Sequence, residues 1–121
     1  MGKTSRTKGR AYEQEIARLI RDKIDGTAKR HLEFQYQEAE EGRDIDTTLP
    51  FAIQCKHWKS TPSISAIDEI KTSEDYPLRM CILKRSNSKG VKGIEVAVVD
   101  LDIMISMLQQ LHWHGLLDDL Q

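Results

Sequence analysis

Two aspartates, a glutamine and a lysine have the types and spacing to do chemistry together. Asp44 and Asp46 lie two positions apart, and so do Gln54 and Lys56. Carboxylate and amide oxygens are ligands for a hard cation such as Mg²⁺, which polarises a phosphate and lowers the pKa of a bound water. A neighbouring lysine can orient that water or offset charge on the phosphorus oxygens. Asp44, Gln54 and Lys56 therefore suit metal-dependent phosphodiester cleavage, with the backbone carbonyl of Cys55 as a further oxygen.

The elements that must position these side chains are two neighbouring strands. Alternation of apolar and polar residues predicts strands in RDIDTT and FAIQCKH, separated by a turn. Ile45 and Ile53 both belong to the apolar face, which requires that directly opposed residues have numbers of equal parity. The two aspartates then share the other face with the glutamine and the lysine. The alternative register would bury both aspartates, at a cost of several kcal/mol for each unpaired charge.

The rest of the chain predicts helices and further strands around this hairpin. Apolar residues recur every three or four positions between Gly9 and Ile24, which predicts an amphipathic helix. We also expect a first strand in KRHLEFQYQ, a second helix in SISAIDEIKTSEDY, strands in LRMCILKR and GIEVAVVDL, and a helix from Asp100 or Asp102 to Gly115. The predicted order α, β, β, β, α, β, β, α indicates an α/β fold.

Length and composition favour one globular domain. The 121 residues suit a single core, and 39% hydrophobic and 31% charged residues are ordinary for a soluble protein. No apolar run approaches the roughly 18 residues that span a bilayer, and the N-terminus lacks the apolar segment of a signal peptide. We therefore expect one domain over residues 1–121, with a basic flexible tail at 1–8, located inside the cell in the cytoplasm and without membrane contact.

Basic residues form two groups although the formal net charge is −1. One precedes the first helix, and the other surrounds the segment SNSKG. Such groups beside an acidic site suit a protein that contacts phosphates and holds a divalent cation. The expected phosphate-contacting residues are Lys3, Arg6, Lys8, Arg10, Lys59, Lys84, Arg85 and Lys89.

Asp44 together with the triplet Gln54-Cys55-Lys56 resembles the PD-(D/E)xK nuclease signature. The predicted element order resembles the αβββαβ core of that superfamily. More specifically, Lys8-Gly9 followed by Glu13-Gln14-Glu15-Ile16 is similar to the KGxxxExEL opening of the archaeal-type Holliday junction resolvases, a family with phage relatives. The first glutamate of that motif is a metal residue in the family, which corresponds to Glu13. The resemblance extends to about Val99.

This resemblance implies a restriction-endonuclease-like fold: a central mixed sheet flanked by helices, with an added strand and a C-terminal helix. It implies an endonuclease that resolves four-way DNA junctions by paired hydrolysis, leaving a 5′-phosphate and a 3′-hydroxyl. The implied metal residues are Glu13, Asp44, Gln54 and Cys55. They would hold Mg²⁺, for which Mn²⁺ can substitute. Symmetric cleavage needs two equivalent sites, so a homodimer is expected, with the apolar last helix and last strand as candidate interface.

The chain departs from the family pattern at two places, and alternatives follow. A glutamate is usual where Gln54 stands, and Gly42-Arg43 precedes Asp44 where a Pro or Gly usually adjoins the aspartate. Asp46 competes with Asp44 as the metal ligand, although we prefer Asp44. A related nuclease with nicking or restriction-like specificity would use the same residues. A nucleic-acid-binding module that has lost catalysis would explain Gln54.

Overall fold

The computed structural model describes residues 2–32, 43–58, 65–85 and 93–120, with the side chains of residues 2–8, 58 and 65 left out. Its elements follow the predicted order and add a final 3₁₀ turn. They are α1 (Gly2–Lys23), β1 (Lys29–Arg30), β2 (Ile45–Asp46), β3 (Phe51–Trp58), α2 (Ser65–Asp68), β4 (Leu78–Arg85), β5 (Glu95–Val99), α3 (Leu101–Trp113) and the 3₁₀ turn Leu117–Leu120.

The strands form one five-stranded mixed sheet in the order β1-β2-β3-β4-β5. Strands β1, β2 and β3 pair antiparallel, β4 lies parallel to β3, and β5 is antiparallel to β4. A parallel pair cannot be joined by a tight turn, so the chain must cross over between β3 and β4, and α2 lies in that connection. The expected α/β class with a mixed sheet and helices is confirmed.

Helix α1 covers one face of the sheet. Its residues Tyr12, Ile16 and Ile20 are buried against Ile45 and Ile53 of the two central strands. Burying an aliphatic side chain contributes roughly 1.5–3 kcal/mol relative to leaving it exposed. This interface is therefore the principal hydrophobic core, and it positions α1 over β2 and β3.

The N-terminal boundary of α1 differs from the prediction. The backbone is helical from Gly2 rather than from Gly9, so residues 2–8 continue the helix. No proline interrupts this stretch, and Gly9 alone costs only about 1 kcal/mol in a helix interior. The side chains of Lys3, Arg6 and Lys8 lie outside the described part of the structure.

The opposite face of the sheet packs against α2. Ala66, Ile67 and Ile70 are buried together with Cys81 and Leu83 of β4. Within the described ranges this helix ends at Asp68, well before Tyr76, where the predicted segment ends. A local turn replaces its continuation: the Tyr76 amide donates to the Ser73 hydroxyl at 3.1 Å, and the Ser73 amide donates to the Tyr76 carbonyl at 2.9 Å. Serine side chains compete with helical hydrogen bonds in this way.

Helix α3 and strand β5 are largely exposed. No residue of α3 is buried, although Ile103 and Met107 pack against the edge of the core. Leu101 is 74% and Trp113 66% exposed. Among the described residues, no helix has both the length and the apolar character needed to cross a membrane.

Asp25 joins the end of α1 to the turn between β2 and β3. One carboxylate oxygen accepts from the amide and the hydroxyl of Thr27, at 3.0 and 2.7 Å. The other accepts from the Thr47 hydroxyl at 3.0 Å and the Thr48 amide at 2.7 Å. The Thr27 hydroxyl, followed by the Thr48 and Thr27 amides, holds the pKa of Asp25 well below its ordinary value. The ionised carboxylate therefore stabilises the fold.

Replacing Asp25 should make stability less dependent on pH. Because its pKa is lowered in the folded state, Asp25 contributes stability above its unfolded pKa of about 4, and that contribution disappears as the pH falls below this value. We expect Asp25→Asn to melt at a lower temperature than wild type at pH 7, with the gap narrowing between pH 5 and pH 2. Thermal unfolding followed by circular dichroism measures this. Asp22→Asn, which replaces an exposed carboxylate on α1, is the control. A difference in melting temperature between Asp25→Asn and wild type that stays constant with pH would contradict the assignment.

Candidate functional site

The register of the two central strands agrees with the prediction. Ile45 lies opposite Ile53, and both are completely buried in the face covered by α1. Opposed residues therefore have numbers of equal parity. By alternation from this pair, Asp44 belongs on the face that carries Gln54 and Lys56, as the sequence predicted.

Asp44 lies where β2 and β3 begin to separate. Its amide donates to the carbonyl of Ile53 at 2.7 Å, and its Oδ2 accepts from the Cys55 amide at 2.8 Å. Burial raises the pKa of Asp44, while the Cys55 amide and the neighbouring side chains of Lys56, His31 and Arg30 act in the opposite direction. Asp44 is therefore a desolvated carboxylate whose charge is partly offset by basic neighbours.

Gln54 and Lys56 extend from β3 on the face that also carries Cys81. Gln54 lies opposite Cys81 and its Oε1 is buried, whereas Lys56 lies opposite Leu83. The Lys56 ammonium is 3.5 Å from the carboxylate of Glu69, just after α2. Burial raises the pKa of Cys81 to about 11, Lys56 opposes this rise, and Asp44 and Glu69 add to it. The charges of all three therefore act on the same thiol.

Glu13 approaches from the other side of the sheet. It lies on α1, and its Oε2 is 3.5 Å from the Arg30 guanidinium. The pKa of Cys55 is strongly raised, mainly by burial and then by the negative charges of Asp44 and Glu13. The negative charges of both carboxylates therefore act on the Cys55 thiol.

Asp46 has different surroundings from Asp44. Its Oδ1 accepts from the Arg43 Nε at 2.7 Å and lies 2.9 Å from the Nδ1 of the buried His31. The Arg43 guanidinium stacks 4.7 Å from the centre of the Tyr76 ring. Asp46 therefore forms part of a chain of polar contacts beside the site, whereas the Asp44 carboxylate contacts the backbone of β3.

Three residues of this site were not among the sequence candidates: Arg30, His31 and Glu69. The β1–β2 register places Arg30 opposite Ile45, and the His31 amide donates to the Asp44 carbonyl at 2.8 Å. Extending the parity rule to KRH would have placed Arg30 on the α1 face and His31 on the Asp44 face. Glu69 had no such signal, because only the packing of α2 brings it to Lys56.

The described basic candidates include two residues at the end of β4. Lys84 and Arg85 lie opposite His57 and Trp58 of β3. The Lys84 ammonium is 3.9 Å from Glu15 and 5.8 Å from the centre of the Tyr12 ring. Arg10 is exposed on α1, two residues before that tyrosine. Lys59 and Lys89 lie outside the described residues, so Arg10, Lys84 and Arg85 are the candidates that the structure places.

The predicted metal ligands are oxygen donors of the kind that Mg²⁺ takes: carboxylates of Glu13 and Asp44, the amide oxygen of Gln54 and the Cys55 carbonyl. Within the described parts of the chain, no group of three or more His, Cys, Asp or Glu side chains could hold a metal ion. The donors suit a hard cation, with less negative charge than a site built only from carboxylates.

A scan against models of protein families, a search of curated proteins and a search of solved structures each found no match to this chain.

Proposed function

We propose that this chain is a metal-dependent DNA endonuclease that resolves four-way junctions. The observation that carries the proposal is the position of Asp44, a desolvated carboxylate at the point where β2 leaves β3, on the same face as Gln54 and Lys56. A buried carboxylate with a lysine beside it suits chemistry on a phosphate better than it suits stability.

The topology supports the proposal. Three antiparallel strands are followed by a helix and then by a strand parallel to the third. This is the arrangement expected of a restriction-endonuclease-like αβββαβ core. Strand β5 and helix α3 then correspond to the expected added strand and C-terminal helix.

The chain's own residues have distinct roles in the proposed reaction. Glu13, Asp44, Gln54 and the Cys55 carbonyl would hold Mg²⁺, or Mn²⁺ in its place. The bound metal supplies positive charge to the phosphate and lowers the pKa of water. The Cys55 amide orients the Asp44 carboxylate through a 2.8 Å hydrogen bond. Lys56 places an ammonium on the same face, where it can orient the attacking water or offset charge on the phosphorus oxygens.

The substrate would be bound through its phosphates. The Lys84 ammonium lies 5.8 Å from the centre of the Tyr12 ring, whose centre is 5.7 Å from that of the His57 ring. Arg85 follows Lys84 on β4, and Arg10 precedes Tyr12 on α1. Lysine and arginine contacts to phosphate give affinity without reading base sequence. Recognition of a branched DNA by shape agrees with this chemistry.

A nucleic-acid-binding module without catalysis is the second candidate. Gln54 and the lack of a three-residue His, Cys, Asp or Glu group among the described residues favour it, since both reduce the charge available to a metal. Cleavage assays separate the two candidates.

We also propose that two copies associate through α3 and β5. The exposed side of α3 carries Leu101, Met104, Ile105 and Leu108, and β5 lies at the edge of the sheet. An exposed apolar helix beside an open strand edge is typical of a protein interface. A twofold dimer would supply the two equivalent sites that symmetric cleavage needs.

Cleavage of labelled DNA tests the enzymatic proposal. With Mg²⁺ or Mn²⁺ we expect paired symmetric nicks on a four-way junction, and a chelator should abolish cutting. In Lys56→Ala we expect kcat to fall by about 100-fold, which is the scale for removing one group that stabilises the transition state. Lys71→Ala, an exposed lysine, should cut like wild type. Binding without cutting in either metal would support the non-catalytic module. Equal cutting of duplex and junction would indicate a related nuclease.

Metal binding should depend on the charge at position 54. Gln54→Glu adds a negative charge beside Asp44, so we expect it to lower the Kd for Mg²⁺ by about tenfold or more. The gain in melting temperature across a MgCl₂ titration measures this. Asp44→Asn should abolish the gain, and Gln14→Glu, which adds the same charge at an exposed position on α1, should leave it unchanged. Equal or weaker binding by Gln54→Glu would show that Gln54 is not a ligand.

Sedimentation velocity tests the dimer. We expect wild type to sediment as a dimer and Leu108→Glu to sediment as a monomer at the same concentration, because the charge would be buried at the apolar interface. Ser106→Glu places the same charge at an exposed position elsewhere on α3 and should leave the dimer intact. A wild-type monomer at all accessible concentrations would exclude this interface.

A further inference from the structure

We propose that Glu69 is a positioning residue that holds the Lys56 ammonium beside Asp44. The inference rests on the proposed function, because it assigns Lys56 a role in cleavage. The Lys56 Nζ and the Glu69 Oε2 are 3.5 Å apart. Glu69 comes from the segment after α2, whereas Lys56 comes from β3, so the two meet only through packing of α2 on the sheet.

The backbone that carries Glu69 is firmly placed. Ile67 and Ile70 on either side of it are buried against the sheet, together with Cys81 and Leu83. The Ile70 amide donates to the Ile67 carbonyl at 3.2 Å, which closes a turn around Glu69. The Glu69 side chain itself is exposed. Its carboxylate is therefore accessible, although the flanking Ile67 and Ile70 side chains are buried.

Lys56 interacts with two carboxylates that differ in burial, those of Asp44 and Glu69. The pKa of Asp44 is raised mainly by burial, and Lys56 lowers it. Glu69 is on the solvent side, with 64% of its side chain exposed. The charges of all three residues act on the thiol of Cys81. Glu69 therefore holds the ammonium from the solvent side, without the desolvation that Asp44 undergoes.

The benefit of such an exposed ion pair is not stability. Exposed pairs add little to the free energy of unfolding, because water screens them and ordering two long side chains costs entropy. A lysine with several rotamers must, however, be in one place when the phosphate is attacked. A misplacement of about 1 Å can reduce a rate about 100-fold. Loss of Glu69 should therefore lower the rate and leave the fold unchanged.

Kinetics and nuclear magnetic resonance of the full chain test this role. In Glu69→Gln we expect kcat on the junction to fall about ten- to 100-fold, with KM and melting temperature unchanged. Glu69→Asp keeps the charge and should recover part of kcat. Glu74→Gln, an exposed glutamate of the same segment, is the control and should behave as wild type.

The ammonium itself provides a readout that does not need activity. Ion pairing slows exchange of ammonium hydrogens with water, so a ¹H–¹⁵N spectrum of the lysine ammonium groups should contain a Lys56 signal. That signal should broaden or vanish in Glu69→Gln and persist in Glu74→Gln. An unchanged Lys56 signal in Glu69→Gln would overturn the pairing, whether or not the protein cleaves DNA. A lost signal with unchanged kcat would overturn only the positioning role. A wild type that cleaves no DNA would overturn the proposed function and this catalytic role with it.

Discussion

The contact between Ile45 and Ile53 determines the arrangement of the rest of the structure. Both side chains are buried beneath Ile16 of α1, and they are directly opposed in the β2–β3 pair. Side chains alternate along a strand, so a slip of one residue would turn the neighbouring aspartates into the core. Hydrophobic burial on one face therefore enforces the polar cluster on the other.

The polar cluster combines burial with charge. Burial raises the pKa of Asp44, and the neighbouring side chains of Lys56, His31 and Arg30 act in the opposite direction. Asp46, two residues away, has its carboxylate bonded to Arg43. The two aspartates thus differ in their surroundings: the Asp46 carboxylate contacts the side chains of Arg43 and His31, whereas the Asp44 carboxylate accepts from the Cys55 amide.

Apolar surface is distributed unevenly over this small domain. The helices α1 and α2 bury their apolar residues against the sheet, whereas α3 buries none of its residues completely. Among the described residues, the side of α3 that includes Ile105 and Leu108 therefore exposes apolar area to water, which is unfavourable. The same domain thus has its polar site and its apolar surface on separate elements.

The sequence by itself determined the order of the elements, the parity of the β2–β3 register and the shared face of Asp44, Gln54 and Lys56. These follow from the local alternation of apolar and polar residues, which is read directly from the sequence. Only the tertiary structure decided that α2 ends at Asp68 and that Lys56 meets Glu69. Such outcomes depend on contacts between segments distant in sequence, and a periodic pattern holds no information about which distant residue a charged side chain will meet.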